Sequence, residues 1–165
     1  MSLDERFESE VMPHARSLYG TALRLTRNPQ DAEDLLQETL LRAYRGFASY
    51  RPGTNVRAWL FTILHRVRTD MLRKRGRSPQ TTELTDDGPA VNPEHEARLT
   101  AGSEDVQRAL AGVPEVFRSA LVLRDVEEFS YEEIAGILEV PVGTVMSRIH
   151  RGRAHLRRLL AGRTP

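Results

Sequence analysis

The sequence predicts an all-α protein of two small helical domains, residues 1–77 and 103–165, joined by a flexible linker over residues 78–102. Three observations predict this architecture. Apolar residues recur at helical spacing in both outer segments. The middle segment shows no sustained period and contains several prolines and acidic residues. The C-terminal segment holds two helical patterns around a tight turn, which is typical of a helix-turn-helix.

Three helices are predicted in the N-terminal domain. The first spans Phe7–Arg27, and Asn28 ends it and caps the second, which has proline at its first position. The second runs from Pro29 to about Phe47. The third follows a loop marked by Pro52 and Gly53, with Thr54 or Asn55 as its cap. Its expected core stripe consists of Trp59, Leu60, Ile63, Leu64, Val67 and Met71.

A polar ridge is predicted on the second helix, where Asp34, Gln37 and Glu38 share an exposed face. Acidic residues near a helix N-terminus interact favourably with the helix dipole, so stability alone would explain them. The same ridge could instead bind a basic partner. Spacing does not favour either interpretation over the other.

The third helix and the loop before it combine cations with aromatic rings. Residues 51–79 carry eight Arg or Lys against one acid, Asp70. Single-stranded nucleic acid needs both features, because cations contact the phosphates and rings stack on the bases. Tyr50 and Phe61 are the candidate stacking platforms, whereas Trp59 is assigned to the core.

The second basic block contains the helix-turn-helix pattern. Ser130 and Glu133 have the spacing of a capping box, and residues 139–141 form the turn. Periodicity turns Val145, Ile149 and Leu156 inward. It turns the following residues outward: Met146, Ser147, His150, Arg151 and Ala154. Because the six charges after residue 141 are all arginines, the pattern favours major-groove DNA binding over a helical hairpin with a solvated cationic face.

An acidic stretch separates the two basic blocks, since residues 80–105 carry seven acids against one base. Such charge asymmetry indicates polyanion contacts at two places. We interpret the acidic stretch as a solvated tether. The alternative is that it imitates nucleic acid and occupies a basic channel.

Composition argues against an enzyme, a metal site and a membrane span. The chain contains no cysteine, its five histidines are scattered, and no glycine-rich phosphate-binding motif is present. No apolar run has the length of a membrane span, and the N-terminus is too polar for a signal peptide. We therefore expect a cytoplasmic protein without a cofactor and without membrane contact of its own.

With these residues in view, the whole chain resembles a bacterial RNA polymerase sigma factor of the extracytoplasmic-function group, a branch of the sigma-70 family. Three blocks carry the resemblance: DAEDLLQETLLRAYRGFASY at 31–50, RAWLFTILHRVRTDMLRKRGR at 57–77, and LRDVEEFSYEEIAGILEVPVGTVMSRIHRGRAHLR at 123–157. The resemblance implies sigma domain 2 in residues 1–77 and sigma domain 4 in residues 103–165.

The resemblance also implies roles for individual residues. Those expected to bind core RNA polymerase are Asp34, Leu35, Gln37 and Glu38. Those expected at the minus-10 element, where one non-template base flips beside the loop, are Arg42, Tyr50, Asn55, Phe61, Arg66 and Asp70. Those expected at the minus-35 duplex are Met146, Ser147, His150 and Arg151 on bases, with Arg148 and Arg153 on phosphates.

Two positions depart from the family pattern, which usually has asparagine at Arg66 and often a cation at Met146. The expected partners are core polymerase, promoter DNA and an anti-sigma factor. Two other binding functions stay open: a DNA-binding regulator without polymerase contact, and a sigma mimic that sequesters an anti-sigma factor. The aromatic-basic segment 57–77 argues against the regulator, and the retained cationic helix argues against the mimic.

Overall fold

The computed structural model describes residues 1–76 and 104–162. All regular secondary structure in these two ranges is helical, which confirms the predicted fold class. The predicted linker, and with it both interpretations of the acidic stretch, lies outside the described residues. The eight α-helices in the described ranges are α1 (Leu3–Glu10), α2 (Ala15–Thr26), α3 (Pro29–Gly46), α4 (Val56–Lys74), α5 (Glu104–Ala111), α6 (Glu115–Leu121), α7 (Tyr131–Leu138) and α8 (Val142–Ala161).

The chain divides into two compact units, Met1–Arg77 and Ser78–Pro165. In the first unit α3 lies between α2 and α4 and packs against both. Phe47, Phe61, Leu18, Leu35, Leu60 and Leu64 are the largest side chains fully buried in its core. No helix in the described ranges is both long enough and apolar enough to cross a bilayer.

The single first helix predicted over Phe7–Arg27 is wrong, because the structure breaks it into α1, a 3₁₀ turn at Met12–His14, and α2. Pro13 explains the break. Proline has no N–H to donate, and its ring would clash with the carbonyl four residues earlier in a continuous α-helix. The apolar period continues across the break with Val11 and Leu18 both buried, so periodicity alone did not show it.

The predicted boundary between the next two helices is confirmed. Asn28 Oδ1 accepts hydrogen bonds from the backbone N–H groups of Gln30 and Asp31 at 2.9 and 3.1 Å, and Pro29 is the first residue of α3. Asn55, one of the two predicted caps, accepts from the N–H of Ala58 at 3.0 Å at the start of α4. Side-chain caps therefore fix where α3 and α4 begin.

The C-terminal unit is built around α8, which packs against α5, α6 and α7. Gly152 lies where α8 meets α6, and a Cβ atom there would sit 3.2 Å from the backbone oxygen of Phe117. Directly after α6, residues Val122–Val126 form a π-helical turn. That turn contains the buried Asp125.

Candidate nucleic-acid interface

The polar ridge of α3 is exposed as predicted at Asp34 and Gln37, and Glu38 is half-buried. Leu35 has no accessible surface, so the prediction that it contacts polymerase is wrong. The reason is its position one residue after Asp34, which turns it onto the core face of the helix. Asp34 accepts a hydrogen bond from Gln30 Nε2 at 3.2 Å.

Arg42 connects the ridge of α3 to helix α4. Its Nε donates to Glu38 Oε1 and its Nη1 donates to Asp70 Oδ2, each at 3.1 Å. The hydrogen bond that Arg42 donates to Glu38, with the one it donates to Asp70, outweighs partial burial and raises the pKa of Arg42 above its ordinary value. Two residues predicted at the minus-10 element, Arg42 and Asp70, therefore form one ion-pair cluster with a residue predicted at the polymerase contact.

The structure corrects the predicted role of Tyr50 as an exposed stacking platform. Its side chain is buried, with 8% of its surface exposed. The ring lies 5.7 Å from the Phe47 ring at 11° and 4.9 Å from the Trp59 ring, centroid to centroid. Its hydroxyl donates to the carbonyl oxygen of Thr54 at 2.8 Å. The ring and the polar end of this side chain thus both contact the protein's own residues, which leaves no exposed ring on which a base could stack.

Phe61 is also not a platform, since only 1% of its surface is exposed. Trp59, which was assigned to the core, is half-buried, so the degrees of burial predicted for these two residues are reversed. The core face of α4 is shifted by one position from the predicted stripe and consists of Leu60, Phe61, Leu64, Val67, Arg68 and Leu72. Arg66 lies outside this face and is exposed.

The loop between Tyr50 and α4 is exposed at each of its residues 51–55. It forms a tight turn in which the N–H of Thr54 and the Thr54 hydroxyl both donate to the carbonyl oxygen of Arg51, at 3.4 and 2.8 Å. Gly53 has φ +88°, a left-handed conformation that glycine adopts without steric cost. Asn55 ends the loop by capping α4, so its Oδ1 is engaged with the backbone.

The helix-turn-helix prediction is confirmed in the C-terminal unit. Ser130 Oγ accepts from the N–H of Glu133 at 3.1 Å, and Glu133 Oε1 accepts from the N–H of Ser130 at 2.8 Å, which completes the capping box. Glu139 takes a left-handed conformation, φ +59°, and ends α7. Pro141 then precedes the first residue of α8. The turn therefore lies where the sequence predicted it.

On α8 the predicted outward face is only partly correct. Ser147 is exposed, and Met146 and Arg151 are half-buried. His150 and Arg148 are buried, at 8% and 7% exposed, so the predictions of an outward base contact and a phosphate contact are wrong for them. Three helices pack against α8 and cover more than one of its faces.

Arg153 is the clearest correction. Its Nε and Nη2 donate to the two carboxylate oxygens of Asp125 at 3.2 and 2.6 Å. The two side chains are 4% and 5% exposed. A guanidinium enclosed in this way has no surface for a phosphate, and the bidentate pair instead joins α8 to the π-helical turn.

One stripe along α8 consists of Gly143, Ser147, Arg151, Ala154 and Arg158, at spacings of four, four, three and four residues; Arg151 and Ala154 are half-buried and the other three are exposed. Small side chains alternate with arginines along it. Such a surface fits a groove closely and supplies cations for phosphates and guanines. Sequence reasoning missed Gly143 and Arg158 as members, although both follow from the same period as Ser147 and Arg151.

Two further residues were missed. Asp125 was absent from the site prediction, and no signal in the sequence connects it to an arginine 28 positions later. Gly152 did carry a signal, because a glycine inside a strong helical pattern costs stability and suggests close packing.

Two family models match the chain. Residues 11–78 match Sigma-70 region 2, and residues 103–156 match Sigma-70, region 4. Among curated relatives, ECF RNA polymerase sigma factor SigE of Mycolicibacterium smegmatis is 46% identical over 158 residues, which span 92% of this chain and 60% of that protein. ECF RNA polymerase sigma factor EcfG of Rhodopseudomonas palustris is 38% identical over 162 residues, 97% of this chain and 88% of that protein.

Solved structures give the same result. The sigma factor RpoE, in complex with the anti-sigma factor NepR from Bartonella quintana, superposes with a TM-score of 0.74 at 33% identity, covering 96% of this chain and 98% of its own. CnrH, in complex with the cytosolic domain of CnrY, superposes with a TM-score of 0.68 at 25% identity, covering 98% and 91%. The chain therefore belongs to the extracytoplasmic-function group of the sigma-70 family of RNA polymerase sigma factors.

Proposed function

We propose that this sigma factor binds core RNA polymerase through the α3 ridge and reads a promoter with two separate surfaces. The single observation that carries the proposal is the solvent-accessible stripe of α8, in which small side chains accompany Arg151 and Arg158 at the position of a recognition helix. The protein acts by binding and performs no chemistry on DNA. Its place of action is the cytoplasm, where the polymerase works.

At the minus-35 element we propose that Ser147 and Arg151 contact base edges in the duplex, with Met146 beside them. Arginine recognises guanine through two hydrogen bonds, and serine accepts or donates to several bases. Gly143 leaves the N-terminal end of the stripe without a side chain, and no atom lies within 4 Å of the place where a Cβ would be. DNA backbone could therefore approach α8 closely at that end.

At the minus-10 element we propose that the exposed loop 51–55 receives a flipped base while Arg66, exposed on α4, contacts the strand. Unstacking a base costs a few kcal/mol, which contacts in a preformed pocket offset. Trp59 is the half-buried ring nearest this loop in the sequence, and it replaces Phe61 as the candidate stacking surface.

On α3 we propose that Asp34, Gln37 and Glu38 contact a basic surface of the polymerase. Because Glu38 already pairs with Arg42, docking there would exchange one cationic partner for another. We also propose that an anti-sigma factor binds this protein, since the similar RpoE and CnrH structures are complexes of that kind.

Run-off transcription with purified core polymerase and a pool of genomic promoters tests the function. We expect discrete products that require the sigma factor.

Asp34→Lys should lower polymerase binding, whereas Glu33→Lys, which changes another exposed acid one residue away on a different face, should not. Arg151→Ala should lower affinity for the cognate minus-35 duplex by about 1–3 kcal/mol and relax its sequence preference, whereas exposed Arg157→Ala, its charge-matched control, should weaken cognate and unrelated duplexes alike. Polymerase binding without any product would favour a sequestering mimic, and DNA binding without polymerase binding would favour an ordinary regulator.

A further inference from the structure

The side chain of Tyr50 is fixed by contacts with the protein's own aromatic residues. Its ring is stacked on Phe47 and lies against Trp59, and only 8% of its surface reaches solvent. Phe47 is itself fixed by an edge-to-face contact with Phe7 at 5.5 Å and by the Arg6 guanidinium over its ring at 5.2 Å. The aromatic cluster thereby places the Tyr50 hydroxyl at one defined position.

That hydroxyl closes the exposed loop. It donates to the Thr54 carbonyl oxygen, four residues on, at 2.8 Å. Inside the closed segment, Thr54 is bonded twice to the carbonyl of Arg51, and Gly53 holds the left-handed backbone at φ +88°. Immediately after it, Asn55 caps α4. The loop is thus tied to the core at its start and to a helix at its end.

We propose that Tyr50 is a positioning residue: its hydroxyl holds loop 51–55 in the conformation that receives the flipped base, and its ring does not stack on that base. This inference rests on the proposed function of the loop at the minus-10 element. A preformed loop binds more tightly than one that must be ordered during binding, because the ordering cost falls within the free protein. The backbone of Arg51, exposed at the start of the turn, is then held in place by the two hydrogen bonds that its carbonyl accepts from Thr54.

The test uses holoenzyme assembled from this chain and core polymerase. The probe is the single-stranded non-template strand of a promoter found by run-off transcription, with 2-aminopurine at the candidate flipped position. Tyr50→Phe removes only the hydroxyl. Losing one neutral hydrogen bond should weaken binding of the probe about twofold to tenfold and reduce the 2-aminopurine signal at saturation. The melting temperature should fall by only the few degrees that one hydrogen bond accounts for, and the affinity for core polymerase should change little.

Gly53→Ala supplies an independent variant, because it strains the same turn without touching Tyr50. We expect the same loss of probe binding, and a double variant no worse than the stronger single one, since both disorder one loop. Tyr44→Phe is the matched control. Its hydroxyl also makes a 2.8 Å hydrogen bond, but it donates to Asp4 Oδ1 in α1 and not to the loop.

Three outcomes are informative. Weakened probe binding in Tyr50→Phe and Gly53→Ala, with Tyr44→Phe unaffected, supports the positioning role. Full binding by Tyr50→Phe overturns it, because the hydroxyl would then not be needed, and loss in Tyr50→Leu would show that only the packing of the ring matters. If the wild-type holoenzyme transcribes but does not change the 2-aminopurine signal, the loop does not capture a base, and the proposed minus-10 function fails before the role of Tyr50 arises.

Discussion

Replacing Arg153 with methionine should unfold the C-terminal unit at markedly lower denaturant concentration. The two side chains of the Arg153–Asp125 pair are 4% and 5% exposed, and two hydrogen bonds of 3.2 and 2.6 Å join them. Removing one partner leaves a buried charge without compensation, which costs about 3–5 kcal/mol. That is a large fraction of the 5–15 kcal/mol by which small domains are stable.

Arg157→Met is the matched control, because it removes the same group from an exposed position one turn further along α8. Surface substitutions of this kind change stability by roughly 0.5 kcal/mol or less. The double replacement Arg153→Met with Asp125→Leu should recover most of the loss, since apolar pairs substitute well for buried ion pairs.

The assay is urea denaturation of the full chain by circular dichroism, with hydrogen exchange of peptides from residues 104–162 to locate the change. Arg153→Met should expose peptides of α8 and of the π-helical turn together. Equal urea midpoints for Arg153→Met and Arg157→Met, with weaker DNA binding by the former, would refute the reasoning and restore Arg153 as a phosphate contact.

Two further predictions concern packing and pH. Gly152→Ala should destabilise the C-terminal unit by about 1–3 kcal/mol, because its Cβ would lie 3.2 Å from the Phe117 backbone oxygen. Gly143→Ala, with open space around it, should stabilise the unit slightly. Thermal melts of both variants would measure these changes. The Arg75 hydrogen bond lowers the pKa of Asp31 below its ordinary 3.8, so the folded state binds fewer protons there. The stabilisation that the Asp31–Arg75 hydrogen bond provides is complete above pH 3.8, and it disappears as the pH falls through the lowered pKa of Asp31. Wild type should therefore lose stability relative to Asp31→Asn in acid titrations below pH ~4, by no more than about 1 kcal/mol at this exposed pair.

The sequence predicted those features that depend on local chemistry. Asn28 and Asn55 cap helices, and Ser130 with Glu133 forms a capping box, because such bonds join residues two or three positions apart. The helix-turn-helix followed from the same kind of signal. Pro13 was a local signal as well, and it broke the predicted first helix where the apolar period gave no indication.

Burial was harder to predict, because it depends on how many neighbours surround a helix. A period of 3.6 separates two faces, but α8 contacts three helices and α4 has a core face shifted by one residue. Phe61 and His150 were therefore assigned to surfaces although the structure buries them, and Leu35, which only the resemblance assigned to a polymerase contact, is buried as well. The prediction for Tyr50 was wrong for another reason. An aromatic residue beside cations gives the same sequence pattern whether its ring stacks on a base or anchors a loop.

These corrections change what the charge of the C-terminal helix means for DNA. Six arginines follow residue 141, and their number alone would indicate six contacts with phosphates or bases. Arg148 and Arg153 are buried, which leaves Arg151, Arg157 and Arg158 in the described part of the helix. With Arg163, which lies outside the described residues, at most four contacts remain, so binding of the minus-35 duplex should depend on salt with a slope of about −3 to −4 in log affinity against log salt concentration, rather than the slope of about −5 that six contacts would give. Titration of the duplex with the full chain between 50 and 200 mM salt, roughly the usual range for this slope, distinguishes the two values. A slope near −5 would mean that the buried arginines become available on DNA, and that the C-terminal unit rearranges when it binds.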